Sequence, residues 1–404
     1  MAARWRGAAL GAAAVGLVVV PPGFGAGYAG DTPAPPAASA SATPASDGFP
    51  QLTPAVAARL DQAVLKVLKE ARVPGVIVAL SAPGKGEYVR AFGLADEAAG
   101  APMKTDLDMR IGSVTKTFTV TALLRLVDDG KAGLDDPVGR YVSGVPNGDR
   151  ITLRQLASMR SGLFNYSEDE GFFQALTADP RRPFTPQELL SYAFKHPVQF
   201  APGAKFDYSN TNLILLGLVV EKVSGKPLDR FVTEQVIAPA GLRHTLFPTG
   251  AEFPKPHAQG YTDQTAGGRV EDSTDWNPSW GWAAGAMVSD LADLRSWAGT
   301  LATGTLLTPA TQAERLDVTR AAPDAGYGLG VFDVAGWIGH NGSLPGYQAL
   351  VVYLPESRAT LVVLLNTDIS SQGGEPGTRF GEAITKVVTP QHVFRLPAQP
   401  VTGS

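Results

Sequence analysis

Ser113-Val114-Thr115-Lys116 sets a hydroxyl and an amine three residues apart at the head of a helix predicted over residues 117–129. Helical spacing of three brings both side chains onto one face. The amine can then take the serine proton or hold a hydrogen-bond network around it. Gly112, just before, permits a sharp turn from extended chain into helix. A serine at a helix N-terminus also has free backbone N–H groups nearby, which suit an oxyanion. Phe118, Val120, Leu123 and Leu124 make this helix an interior one, so Lys116 must either find polar partners or lower its pKa. If Lys116 instead faced water on a surface helix, the pair would be inert.

Two later segments carry compatible chemistry. Tyr208-Ser209-Asn210 precedes an apolar helix. Residues two apart in extended chain project to the same side, so the Tyr208 hydroxyl could pass a proton to a leaving group while the Asn210 amide holds a substrate carbonyl. Taken alone, Asn210 would equally serve as a helix cap. His340-Asn341-Gly342-Ser343 lies among strand-like segments. Gly342 would let a ligand approach the backbone of a strand lining a cleft, the Ser343 N–H could donate to an oxyanion, and His340 could supply a hydrogen bond or partial positive charge. Taken alone, Asn-Gly is a hairpin turn signal.

Around these segments the pattern divides into two parts. Thr53 and Pro54 start a helix whose apolar positions Val56, Leu60, Val64, Val67 and Leu68 recur at helical spacing. Residues 76–81 and 88–92 read as a hairpin about Gly84-Lys85-Gly86, and residues 330–334, 347–354 and 360–366 as further strands before a closing helix over 381–388. Between them, residues 153–159, 186–194, 212–223, 228–236 and 291–301 are helical by period. The predicted fold class is α+β: one antiparallel sheet flanked by the N- and C-terminal helices, with a mostly helical domain inserted. The hydrolase domain is expected over 49–395, its sheet part about 53–112 and 302–390 and its helical part about 113–301, with a cleft between the two.

Composition narrows the chemistry. The chain has 404 residues with a net charge of −4 and no basic run, which excludes nucleic acid as a partner. It has no cysteine, hence no disulfide framework or thiolate site. Its five histidines show no zinc-ligand spacing, so neither metal nor cofactor is expected. Residues 1–29 read as a signal peptide: Arg4 and Arg6, then an apolar run over 8–20 too short to span a bilayer, then small residues up to Ala29. Residues 30–48, rich in Pro, Ala and Ser, read as a disordered linker. A secreted monomer without a stable membrane span is the expectation.

Together the three motifs resemble those of the penicillin-recognising serine hydrolases, the group of class C β-lactamases, serine-type D-alanyl-D-alanine carboxypeptidases and related esterases, in which Ser-x-x-Lys is a signature. The order and spacing match across roughly residues 53–390. Ser161-Gly162-Leu163, Ala284-Gly285-Ala286 and Tyr327-Gly328-Leu329-Gly330 are similar to further segments of that group. The resemblance implies a β-lactamase/transpeptidase-like fold and an acyl-enzyme on Ser113. Lys116 and Tyr208 would share acid and base work, Asn210 would bind the substrate amide, and His340 would assist electrostatically. The Ser113 and Ser343 amides would form the oxyanion hole, and Asn341 and Gly342 would border the substrate. Trp280 and Phe164, with Tyr166 a similar candidate, are aromatic candidates for the cleft wall. The third motif departs from the pattern in carrying His340 and Asn341 where Lys and Thr are frequent, and no carboxylate-binding cation follows Tyr327-Gly328-Leu329-Gly330. The leading expectation is a D-alanyl-D-alanine carboxypeptidase that binds penicillin. An esterase or β-lactamase on the same scaffold is the alternative, and an inactive binding homologue a third. The substrate would be a small molecule or peptide.

Overall fold

The computed structural model describes residues 48–322, 324–370 and 374–396; the expected leader, and the expected linker apart from Gly48, lie outside them. The described chain enters through α1 (Pro54–Ala71), where Thr53 accepts a hydrogen bond from the Val56 amide at 3.4 Å and Val56, Leu60, Val64 and Val67 form the buried stripe. A hairpin of β1 (Gly75–Ala82) and β2 (Gly86–Asp96) follows, with the short β3 (Ala101–Pro102) beside it. Then β4 (Met109–Arg110) feeds a 3₁₀ turn over Gly112–Val114 and the buried helix α2 (Thr115–Asp128).

The inserted part contains α3 (Leu153–Ala157), α4 (Glu170–Ala178), α5 (Pro186–Phe194), α6 (Asn210–Ser224) and α7 (Leu228–Val232). A small ladder of β5 (Tyr261–Thr262) and β6 (Glu271–Asp272) precedes α8 (Trp282–Gly285), and β7 (Val288–Ser289) pairs with β4. After α9 (Leu291–Thr303) and α10 (Pro309–Leu316) the chain returns to the sheet. Its last strands are β8 (Thr319–Ala322), β9 (Ala325–Tyr327), β10 (Phe332–Val334), β11 (Trp337–Leu344), β12 (Tyr347–Leu354) and β13 (Ala359–Leu365), and α11 (Pro376–Val388) closes it.

Nine strands form one antiparallel sheet in the order β3-β2-β1-β13-β12-β11-β10-β9-β8. The pairing of β1 with β13 joins the two ends of the domain, as the sequence pattern predicts. All eight residues of β12 are buried, because both faces are covered. Leu350 meets Gly381 of α11 on one face, whereas Tyr353, of opposite parity, lies against Gly299 of α9 on the other. The interior of the helical part is continuous with this core.

The sequence reading missed α4 and α10. For His340-Asn341-Gly342-Ser343, among strand-like segments, it left open a cleft-lining strand or a turn; these residues lie inside β11, paired in register with β12 from Ile338–Tyr353 to Leu344–Tyr347. An Asn-Gly turn needs positive φ, and neither Asn341 nor Gly342 adopts it. Pairing of β10 with β11 stops at Gly339. The second edge of residues 340–344 is therefore left to the turn that carries Ser113.

Candidate active site

Ser113 sits on the 3₁₀ turn ahead of α2, rather than in the first turn of the α-helix. Gly112 takes φ +50° to make that turn, and a Cβ on it would fall 2.8 Å from the Ser343 nitrogen. A Cβ on Gly342 would fall 2.0 Å from the Ile111 carbonyl oxygen and 2.9 Å from the Ser113 nitrogen. Real Cβ atoms do not approach that closely, so both glycines are required by backbone-to-backbone contact. This contact brings the Ser113 and Ser343 amides together at the floor of a cleft lined by both residues.

Lys116 is fully buried. Its amine donates to Ser113 Oγ at 2.8 Å and to the Ala284 carbonyl at 2.7 Å, and lies 5.0 Å from the centre of the Tyr208 ring. Among the described residues no carboxylate partners it, and desolvation holds its pKa well below the ordinary lysine value. An amine biased towards its neutral form, at hydrogen-bond distance from a serine hydroxyl, can act as a general base.

Tyr208 is buried against the same pair. Burial raises its pKa, with Ser113 opposing the rise and Glu375 adding to it. The phenol therefore stays protonated. Among the described residues its oxygen closes no hydrogen bond of regular geometry, although it stands near enough to Ser113 for that hydroxyl to oppose the rise in its pKa. A protonated phenol beside the nucleophile can hand a proton onward; it cannot act as a resident phenolate.

Of the two roles expected of His340, a hydrogen bond or partial positive charge, the structure supports the first. His340 is fully buried, and burial together with the neighbouring Lys116 lowers its pKa to about 3, so it is neutral near pH 7. Its Nδ1 lies 2.5 Å from the Asn341 carbonyl oxygen, which can only accept, so Nδ1 carries the proton. Nε2 is then the acceptor for the Tyr327 hydroxyl at 3.1 Å. Phe332 stacks on the ring at 4.4 Å. His340 thus fixes an aromatic wall with Tyr327, whose ring is T-shaped against Tyr208 at 6.4 Å.

Asn210 begins α6 but does not cap it through its side chain; the N-cap is Ser209. Asn210 Nδ2 donates to Ser167 Oγ at 3.0 Å, and its backbone N–H donates to Asn165 Oδ1. Its Oδ1 accepts no hydrogen bond among the described residues, and Asn210 is one of the residues that line the cleft. The opening takes in about 200 Å³, part of it open solvent, and is walled by Tyr166, Trp280, Ala284, Gly285 and Leu344. Tyr166 donates to the Trp280 carbonyl at 2.5 Å, which ties the two aromatic walls together.

Three expected cleft residues lie elsewhere. Phe164 is stacked on His196 at 3.8 Å, outside the cleft lining. Gly342 is covered by the Ile111 carbonyl, and Asn341 turns its amide to Glu375 at 3.2 Å. Strand alternation accounts for Asn341, which flanks the cleft floor while its side chain is held behind it. The sequence reading missed Glu375, Tyr327 as the partner of His340, and the Ala284 carbonyl that receives Lys116. Glu375 stands at the start of α11 with its carboxyl buried and its pKa raised to about 7, by burial first and then by Asp368. No local motif marks it; only the return of α11 onto the sheet brings it behind β11.

The fold and this pairing of serine and amine define a hydrolase of the β-lactamase/transpeptidase type. The chain belongs to the Beta-lactamase family, whose model matches residues 60–384. Among solved structures it is similar to a D-stereospecific amidohydrolase from a Streptomyces species (TM-score 0.74, 30% identity, covering 82% of this chain and 98% of that one). It is also similar to a D-amino acid amidase from Ochrobactrum anthropi (TM-score 0.70, 29% identity, 81% and 97% covered). Among curated proteins, esterase EstB of Burkholderia gladioli is 36% identical over 204 residues, covering 48% of this chain and 52% of the esterase, so the match spans about half of that relative. No helix among the described residues is long and apolar enough to cross a membrane.

Proposed function

We propose that the protein is a serine hydrolase that works through an acyl-enzyme on neutral amides and esters, with D-aminoacyl groups as its acyl donors. Lys116 takes the proton as Ser113 Oγ attacks the carbonyl, the Ser113 and Ser343 amides receive the oxyanion, and the proton returns from Lys116 through the Tyr208 hydroxyl, which passes its own to the leaving nitrogen or oxygen, so that both side chains end as they began. Water then cleaves the ester on Ser113. The observation that carries the choice of substrate is the cleft lining. The described residues that line it include Asn210, whose amide oxygen can accept from a substrate N–H, but no arginine, lysine or histidine to meet a carboxylate. A carboxylate drawn out of water needs a cation or several donors. The D preference follows the two structural relatives named above.

The test is hydrolysis of D- and L-phenylalanine amide, a short-chain ester and a D-alanyl-D-alanine peptide, with intact-mass detection of the acyl-enzyme. Turnover of the D-amide and the ester above the peptide supports the reading. Turnover unchanged by Ser113→Ala refutes it. A second reading, D-alanyl-D-alanine carboxypeptidase, is supported by the same motifs and by the Asn210 carbonyl, which a peptide could also use. Penicillin labelling of Ser113 together with D-alanine release would select it. Export is part of the proposal, resting on residues 1–29; the N-terminus of the mature protein tests it.

A further inference from the structure

A second cluster of chemistry lies on the ladder that supports the nucleophile turn. β4 and β7 pair Met109 with Ser289 and Arg110 with Val288. The same register places Asp108 opposite Asp290. Both are buried, at 6% and 7% exposure. Like charges directly opposite in an antiparallel pair repel, and burial removes the water that would screen them. Asp108 has no side-chain hydrogen bond or ion pair among the described residues, and its carboxylate points at the Asp290 carboxylate and the His244 ring. One ligand atom from each of the three lies within 4.8 Å of the others, with His244 Nδ1 3.7 Å from Asp290 Oδ2. The other Asp290 oxygen caps α9 through the Asp293 amide. Asp293 in turn accepts from the His244 amide at 2.7 Å and from Thr245 Oγ1 at 2.8 Å, fixing the histidine's backbone. Leu246 bridges Val288, so three separate segments converge here.

We propose that Asp108, His244 and Asp290 bind a divalent first-row transition cation that clamps the β4–β7 ladder beneath the catalytic cleft. Two carboxylates and one imidazole suit zinc or manganese better than calcium, which asks for six or more oxygens. A tetrahedral zinc would need ligand atoms about 3.4 Å apart. The exposed His244 side chain, free to rotate at the mouth of the site, closes the remaining distance. The clamp would act on both walls, since Ile111 donates to the Met287 carbonyl at 3.0 Å just before Ser113 and Ala284-Gly285 precede β7.

The experiment is calorimetric titration of the chelator-stripped full chain with zinc chloride, manganese chloride or calcium chloride, with a thermal melt beside each. The expected result is a single zinc or manganese equivalent and a melting point raised by roughly 4 °C at hundredfold excess over Kd. Asp108→Asn, which keeps the shape and removes the repulsion, should fold and melt no lower than the parent without metal, yet bind at least tenfold more weakly. His244→Ala should weaken binding likewise. No binding up to roughly 1 mM, where affinity is too weak for a built site, overturns the proposal. So does unchanged binding by Asp108→Asn, or preference for calcium. Stabilisation on acidification alone, with no metal effect, would show that a shared proton answers the repulsion instead.

Discussion

Lys116→Met tests the reading of the nucleophile most directly. Methionine has nearly the reach of the lysine stem and removes the amine. Two hydrogen bonds vanish, the 2.8 Å bond to Ser113 Oγ and the 2.7 Å bond to the Ala284 carbonyl. Leaving a buried carbonyl unpaired costs about 1–3 kcal/mol. Against this, a fully buried amine no longer has to be kept out of water, so the net change in stability at neutral pH is expected to be small. The sign of its pH dependence is definite. The folded lysine has a lowered pKa, so between that value and the unfolded value of about 10.4 the unfolded chain binds more protons, and parent stability rises with pH. Lys116→Met abolishes this slope, and the variant should gain most on the parent at the acid end of the window. Activity behaves differently. Loss of a positioned base costs about 10²–10⁴ in rate, or about 2.7–5.4 kcal/mol in the barrier at 1.36 kcal/mol per decade. The parent's activity should fall as pH drops through the lowered pKa, and the variant should lose that limb. The assays are kcat/KM from pH 5 to 10 with the best substrate, and urea melts across the same range. A variant that keeps more than a tenth of parental kcat/KM, with its acid limb intact, would refute Lys116 as the base.

Gly342→Ala should abolish acylation while the chain still folds, because a Cβ 2.0 Å from the Ile111 carbonyl forces β11 off the Ser113 turn; intact mass with an acylating substrate reads this directly. Tyr327→Phe leaves the His340 Nε2 without its donor and should lower kcat by about three- to tenfold with little change in KM, one lost hydrogen bond being worth about 1 kcal/mol; an unchanged kcat would remove His340 and Tyr327 from the supporting network. Glu375 has a folded pKa raised to about 7, so its contribution to stability is complete below about pH 4.3, the unfolded value, and is lost as pH rises towards 7. Glu375→Gln should flatten that part of the stability profile, and thermal melts at pH 4.5, 6 and 7.5 check it.

Much of the acid–base chemistry was legible because it is local. Ser113 and Lys116 meet because the 3₁₀ turn over Gly112–Val114 runs straight into α2, and Tyr208 and Asn210 are only two residues apart at the entry to α6. The buried helix around Lys116 could be read from Phe118, Val120, Leu123 and Leu124, and with it the need for a shifted amine. Trp280 and Tyr166 were recognisable as candidate walls, but Phe164, equally aromatic and two residues from Tyr166, belongs to His196. Side-chain type alone does not say which neighbour a ring will choose. The histidine of the third motif was found, but the choice between hydrogen bond and charge stayed open, because desolvation depends on everything packed around a ring and the sequence reports only its chain neighbours.

The sequence by itself determined the main helices, the sheet closed by the two ends of the chain, and the serine–lysine pair, since helix pitch, strand alternation and capping operate over a few residues. Tertiary structure decided the rest. It placed His340-Asn341-Gly342-Ser343 inside a strand instead of a turn, because pairing with β12 satisfies backbone groups that an isolated Asn-Gly would close on itself. It made His340 neutral by burying it beside Lys116 and Tyr327. It carried Glu375 and the Ala284 carbonyl to the site from 259 and 168 residues beyond Lys116, and set Asp108 against Asp290. Proximity of that kind is fixed by packing across the whole core, and no local pattern encodes it.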